Sequence, residues 1–583
     1  MKRHYVLVLG LLLVFFGGLL AWWVQTDGGQ IEIKDVRFVG TNGTLMSALL
    51  YIPPGVSNEN RAPGIVAIHG YINSRETQAG YAIEFARRGY VVLALDQTGH
   101  GYSDPPAFAN GFGGPDGLAY LRSLDIVDPE NIGLEGHSMG GWASLIATAV
   151  YPDGYRSIMV QGSSTGTFGA PEGTPEVPRN FGLLFAAFDE FSALMWGSET
   201  GAGIVNTEKL QAVFGTTEPV EIGRLYGSIE DGTGRMLFQN ATTHPANHLN
   251  SEAIGDAVRW MQMTLVGGNG LDANNQVWQW NEIGRLIALI GMVVSMLAFG
   301  SILFDAPFFT AIVKPMPEAK VMQGIPRYVG YALAIFIPVL TYFWLQNLAG
   351  DVITAATPLF AQNITTGIMF WAVGNGLITL VLFLIWHFTS NRAQGATIAN
   401  YGLSLSWVDM LKAALAAILI VLFGYLLLAV SDLLFKTDFR FWVVAVKLMG
   451  SLHFRIFLGY LPFFVFFFLV LGISLNGQLR LVSAEGKSAP FWLSALSNTG
   501  LLVLGIIAML LLQYIPLMTG GTLPLAEPLL TIVAFQFVPL LTIVALFTTY
   551  FFRRTGTVYV GAFVCAMVIT WIIVAGQATH FAF

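Results

Sequence analysis

Two hydrophobic patterns divide this chain of 583 residues. From about residue 28 to 265 the apolar positions come in short runs: IEIKDVRFVG, LMSALLYIP, GIVAIHG, YVVLALD, NIGLEG, SIMVQG, FGLLFAAF and GRMLFQ. Several are nearly continuous rather than alternating, which marks strands buried on both faces. Helical stretches around ETQAGYAIEFARRG, GPDGLAYLRSL and GGWASLIATAVY fall between them. Strand and helix in alternation predict a mostly parallel sheet with helices on both faces.

After about residue 283 the apolar runs lengthen. They lie near 284–304, 328–348, 365–388, 409–433, 454–475, 492–516, 528–551 and 557–578. Each is long enough for a membrane-crossing helix, which takes about 20 residues. Residues 437–453, KTDFRFWVVAVKLMGSL, are too short and too charged for a span and read as an interfacial or re-entrant piece. At the other end, Lys2-Arg3 precede an apolar run over 5–24 that closes with Trp22-Trp23. It lacks a small-x-small cleavage site and reads as an uncleaved signal anchor. The division is then 1–27 anchor, 28–283 soluble domain and 284–583 a transmembrane domain of about eight helices.

Charge gives these parts an orientation. Asp27 to Glu282 carries 28 acidic and 13 basic residues, whereas the remainder carries 8 acidic and 16 basic. If Lys2 and Arg3 are cytoplasmic, so are the loops with Lys314, Lys320, Arg327, Arg392, Arg480, Lys487, Arg553 and Arg554. The opposite loops, near Asp351 and Glu527, hold no Lys or Arg. This positive-inside pattern predicts a multi-pass protein of the cell membrane with its N-terminus cytoplasmic and its soluble domain on the outer face. Lys436, Arg440 and Lys447 are exceptions. Lys412, Asp432, Lys447, His453 and Arg455 lie near span ends, where snorkelling accounts for them. Asn375 suits close helix packing, and no broken helix is evident beyond 437–453. No basic–aromatic run points to nucleic acid. The single cysteine, Cys565, excludes an intrachain disulfide and thiolate metal sites.

Candidate chemistry concentrates at IGLEGHSMGGWASLIATAVYP, residues 132–152. An apolar strand breaks into Gly136-His137-Ser138-Met139-Gly140 and turns at once into a small-residue helix. Flanking glycines permit so sharp a turn, which holds Ser138 out at its tip. Upstream, His69-Gly70-Tyr71 closes the strand VAIHGY, and LALDQTGHGYSD follows the next strand. These segments, in this order, resemble the nucleophile elbow, HG segment and D-x-x-G-x-G-x-S loop of the α/β-hydrolase fold, over roughly residues 30–265. The resemblance implies an α/β-hydrolase domain joined to an all-α polytopic membrane domain of no recognised family.

It also implies a Ser-His-Asp triad working through an acyl-enzyme, with Ser138 as nucleophile and the backbone N–H groups of Tyr71 and Met139 as oxyanion donors. The acid belongs after the strand FGLLFAAF, where Asp189 matches the family position ahead of Glu190. The base lies in the loop after the last strand: His244 fits the spacing better, with His248 as the alternative. Only about 18 residues, STGTFGAPEGTPEVPRNF, separate the sixth and seventh strands, too few for a large helical lid, as in dienelactone-hydrolase or peptidase-like members. No metal or organic cofactor is implied. The expectation is a serine hydrolase acting on an ester or acyl bond of a small-molecule or lipidic substrate, in contact with the bilayer. A peptidase or amidase, and a transporter-like membrane protein with a processing or inactive hydrolase domain, are the alternatives. Substrate identity and oligomeric state are not legible.

Overall fold

The computed structural model describes residues 2–483 and 486–583. Helix α1 (Lys2–Gln25) leads into a sheet of β1 (Glu32–Val39), β2 (Leu45–Ile52) and β3 (Ala62–Ile68), then α2 (Ala79–Arg87), β4 (Val91–Asp96), α3 (Gly114–Arg122), β5 (Val127–His137), α4 (Met139–Val150), β6 (Ser157–Gln161) and β7 (Phe181–Leu184). After β7 come the short α5 (Ser192–Trp196) and α6 (Glu208–Phe214), then β8 (Arg235–Phe238) and α7 (Ser251–Thr264). All eight expected strands join one sheet in the order β1-β2-β4-β3-β5-β6-β7-β8. β2 runs antiparallel to β1 and to β4, and the remaining pairs are parallel.

Burial explains the continuous apolar runs. Every residue of β3 and β4 is buried. One face packs Leu118, Leu121 and Leu145 of α3 and α4 against Val66 and Leu93. The other packs Phe85, Ile254 and Trp260 of α2 and α7 against Ile65, Ala67 and Val92. Covering a parallel sheet on both sides removes its strands from water, so alternation disappears. The sheet domain and the first long helix after it run together without a break: α8 (Trp278–Leu303) starts several residues before the apolar run at 284. Its polar first turns face protein, with Asn281 Nδ2 donating to Ala21 O at 2.9 Å and Arg285 to Glu76 O at 3.3 Å.

The helical region continues through α9 (Gly324–Leu340), α10 (Tyr342–Val352), α11 (Asn363–Trp386), α12 (Trp407–Phe435), the hairpin β9–β10 (Phe439–Phe441 and Val444–Val446), α13 (Ser451–Ile473), α14 (Phe491–Met518), α15 (Pro528–Ala534), α16 (Phe537–Thr555) and α17 (Tyr559–Gly576). Among the described residues eight helices are long and apolar enough to cross a membrane, or nine if the bent pair α9–α10 is one span. α1 packs along α8 with Gly10 and Gly17 against Gly291 and Gly284. Arg3, at the start of α1, meets Asp305 at 2.7 Å, with Arg554 also near Asp305 at 3.7 Å. That end of the bundle is remote from the sheet.

Two expectations are corrected. The run at 328–348 is a broken helix, bent by 46° between α9 and α10. Pro338 lacks the N–H that would continue the ladder. The break is held from α11, where Trp371 Nε1 donates to Pro338 O at 2.8 Å and Asn375 Nδ2 to Thr341 Oγ1 at 3.0 Å. Residues 437–453 do not form a re-entrant helix. They form the β9–β10 hairpin and its flanks, folded against the sheet domain. Lys447 does not snorkel: it is buried, and its Nζ lies 2.5 Å from Glu76 Oε2. Arg440 donates to Thr77 Oγ1 at 3.2 Å and pairs with Asp438 at 2.8 Å. The charges that break the sequence pattern are thus the contacts that dock the hairpin.

Candidate active site

β5 ends at His137 and α4 begins at Met139, so Ser138 alone turns the chain. It does so with φ 54° and ψ −121°, a conformation that costs an L-residue of order 1–3 kcal/mol and survives only where packing enforces it. Packing does enforce it. A Cβ on Gly136 would run into the Gly140 carbonyl, and one on Gly140 into the Ile68 carbonyl. Ser138 N–H donates to Gln161 O at 2.7 Å, which ties the turn to β6.

β7 and β8 bring the acid and the imidazole together. Beyond their paired ends, Phe188 N–H donates to Thr242 O at 3.0 Å, setting the two loops side by side. Asp189 Oδ2 then accepts a hydrogen bond from His244 Nδ1 at 2.9 Å, and Oδ1 accepts from Phe191 N–H at 2.9 Å. Both side chains are buried. Gly162, at φ +50°, ends β6 beside the pair, and a Cβ there would press on the His244 ring. Burial opposes the charged imidazole, but the Asp189 charge and hydrogen bond outweigh it and raise His244 above the usual 6.5. With its proton assigned to Nδ1 by that bond, His244 keeps the Nε2 lone pair free to act as a base.

The neighbouring groups hold this pair. Glu190 takes no place against the imidazole. Its Oε2 accepts the His244 backbone N–H at 2.8 Å, and its Oε1 accepts the Tyr514 hydroxyl of α14 at 2.6 Å. Burial, with the Asp189 charge beside it, pushes its carboxyl up to about 7. His137 Nε2 donates to the His244 carbonyl at 2.9 Å. Burial, then the neighbouring His248 and His244, keeps His137 well below its ordinary range. His248 lies against His137 with ring centroids 4.2 Å apart and the rings tilted by 57°, and neither of its nitrogens finds a partner among the described residues. Burial lowers it to about 3. The structure therefore brings His244, and not His248, to Asp189. His69 is tied into the fold, with Nδ1 2.7 Å from Gly70 O and Nε2 accepting Gln97 N–H at 3.1 Å.

Ser138, Met139, His137, His244 and Tyr71 line one cavity of about 640 Å³. The backbone N–H groups of Tyr71 and Met139 donate to no other group among the described residues. A serine with an oriented imidazole and two free N–H donors is what acyl transfer needs. The short β6–β7 connection contains no helix, as expected. Yet the site is not left open, because the helical region roofs it. Trp442 of the hairpin donates through Nε1 to Pro245 O at 3.4 Å, while Leu529, Ile532 and Val533 of α15 and Ile572 of α17 line the cavity. The chain end joins this roof: Thr579 N–H donates to Gly99 O and its carbonyl accepts from Ala107 N–H, both at 2.8 Å. His580 Nε2 lies 3.0 Å from the Tyr71 hydroxyl. None of these roof residues carries a local sequence signal, since each reads as span, loop or, for Trp442, part of an interfacial or re-entrant piece.

Residues 63–202 match the family model described as alpha/beta hydrolase fold. A curated relative, the acyltransferase drtE of Aspergillus calidoustus, is 29% identical over 166 residues, 27% of this chain and 51% of that protein. The chain thus spans about half the length of the curated relative it matches. Among solved structures, a predicted CIB-like hydrolase from Thermoplasma acidophilum is 15% identical, with 40% of this chain and 99% of that chain covered and a TM-score of 0.28. Epoxide hydrolase A from Mycobacterium thermoresistibile is 19% identical, with 23% and 40% covered and a TM-score of 0.20.

Proposed function

Because its soluble part has the α/β-hydrolase fold, we propose that this chain is a multi-pass membrane serine hydrolase that cleaves an ester or acyl bond, with that domain on the outer face of the membrane. One observation carries the reading: Ser138, held in a strained turn, shares a cavity with an imidazole oriented by a buried carboxylate. His244 Nε2 takes the Ser138 proton as Oγ bonds to the acyl carbon, and the oxyanion is met by the Tyr71 and Met139 N–H groups. The protonated imidazole returns that proton to the leaving alcohol, which departs. Water then attacks the acyl-enzyme, giving its proton to His244, and the acid leaves as Ser138 regains a proton. The positive-inside distribution of Lys and Arg supports the orientation.

An acyl-enzyme delivers its acyl group to an alcohol as well as to water, and the partial likeness to an acyltransferase supports testing both acceptors. The experiment is fluorophosphonate labelling of the full-length protein in detergent, beside Ser138→Ala. Labelling of the wild type alone is expected, and an ester and amide panel, with and without added alcohol, then sorts hydrolysis from transfer and peptidase from esterase. If the folded wild type does not label, the serine assignment falls.

A further inference from the structure

Resting on the serine-hydrolase reading, we infer that the substrate is a membrane-borne acyl ester. Its carbonyl reaches Ser138 while its hydrocarbon chain lies against α15 and α17. The soluble domain supplies a nucleophile, an imidazole, an acid and two N–H donors by itself. A water-soluble ester would need nothing more. Yet the cavity is completed by apolar side chains from the very ends of helices that fit a bilayer.

The α15 side chains form a stripe. Leu529, Ile532 and Val533 fall at i, i+3 and i+4, so one face of α15 is turned to the cavity, with the polar Gln536 just beyond the helix. Ile572 of α17 adds an apolar side chain one turn before Gly576, whose backbone also lines the cavity. A ligand lying along the α15 stripe runs about 6 Å along the helix axis, from the sheet domain toward the hydrocarbon. The cavity volume suits one molecule of lipid or drug size.

The soluble side of the cavity is matched to the same ligand. Phe168, Leu194, Phe108 and Leu249 line it and are 60%, 49%, 49% and 40% exposed. A contiguous set of large exposed apolar groups around a catalytic serine is unfavourable in water and marks a surface that meets lipid or an apolar ligand. Apolar groups therefore stand on both sides of the nucleophile, and those on the roof belong to the membrane region.

The test uses the intact protein in phosphatidylcholine vesicles and a palmitoyl-chain fluorophosphonate with a diazirine at its terminal carbon. After reaction, irradiation and digestion are followed by mass mapping. Attachment at Ser138 with cross-links in 528–536 or 570–577 is expected. Attachment at Ser138 with cross-links confined to soluble-domain residues such as 142, 168 and 194 would overturn the inference and leave the serine reading standing. No attachment at Ser138, while a small fluorophosphonate labels it, also overturns the inference. If neither probe attaches, the serine reading fails and the inference with it. Ile532→Trp gives a second readout: the kcat/KM ratio of palmitoyl to butyryl ester should fall about tenfold or more, and an unchanged ratio in the folded variant counts against the acyl wall.

Discussion

The floor and the roof of the cavity are held by opposite means. On the floor, positions are fixed by backbone: a one-residue turn at Ser138, glycines with no room for a Cβ, and main-chain bonds that align the loops of Asp189 and His244. The roof comes from segments hundreds of residues away and, apart from the main-chain pair at Thr579, is held by side chains. Lys447 reaches Glu76, Arg440 reaches Thr77, Trp442 reaches Pro245 and Tyr514 reaches Glu190. A reacting atom tolerates little displacement, and backbone restraint suits it. A roof needs only to exclude water and present a wall, and a few buried polar contacts on an apolar seam suffice.

The largest effect should come from the floor. Asp189→Asn keeps the shape of the side chain but removes its charge, and with the amide oxygen held by Phe191 N–H it turns an NH2 group, a donor, toward His244 Nδ1. Activity toward a short ester should fall by about four orders of magnitude, as removal of the acid does in serine proteases. A loss of only a few-fold would mean that Asp189 is a packing residue. Breaking the roof should instead show as stability. The Lys447 and Glu76 side chains are 2% and 8% exposed, so Lys447→Met leaves a carboxylate buried without its nearest cation, a loss of about 3–5 kcal/mol. Burial opposes ionisation of Glu76, yet Lys447 and Arg75 hold it well below 4.5. Its folded value being depressed, its contribution is complete above about 4.5 and is lost as the pH falls through that folded value. Thermal unfolding in detergent should show the wild-type advantage over Lys447→Met at pH 7, shrinking toward acid, and Glu76→Gln in the same chain should recover part of it. Equal melting of both proteins at pH 7 would mean that the ion pair does not secure the roof.

The same contrast decides what the sequence discloses. The eight strands, the elbow and the Asp189–His244 loops are legible because each depends on a short stretch whose residues serve one local geometry. The roof is illegible because Ile532 or Ile572 looks the same in a span whether it faces lipid, protein or cavity. The hairpin misleads for a related reason: Arg440 and Lys447 read as unpaired charges in an apolar stretch, and their partners lie at Asp438, Thr77 and Glu76. The α9–α10 break escapes as well. Pro338 is visible, but helices often tolerate proline, and the support from Trp371 and Asn375 is tertiary.

The smallest effect sits where floor and roof touch. Tyr514 of α14 donates to Glu190, and Glu190 accepts the backbone N–H of His244. Burial and the Asp189 charge have pushed the Glu190 carboxyl up to about 7, while the Tyr514 bond favours its ionised form. Tyr514→Phe removes that bond, so Glu190 stays neutral to higher pH. Its charge is one of the groups that favour the His244 imidazolium. Without it His244 loses its proton more readily, and the acid limb of the kcat/KM profile should move to lower pH by a fraction of a unit. One hydrogen bond in this support is worth about 0.5–1.5 kcal/mol, so kcat should fall about two- to tenfold. A purely structural tyrosine would lower the melting temperature and leave the acid limb in place. A shifted limb in a protein of unchanged melting temperature would mean that the long apolar helices tune the base they cover.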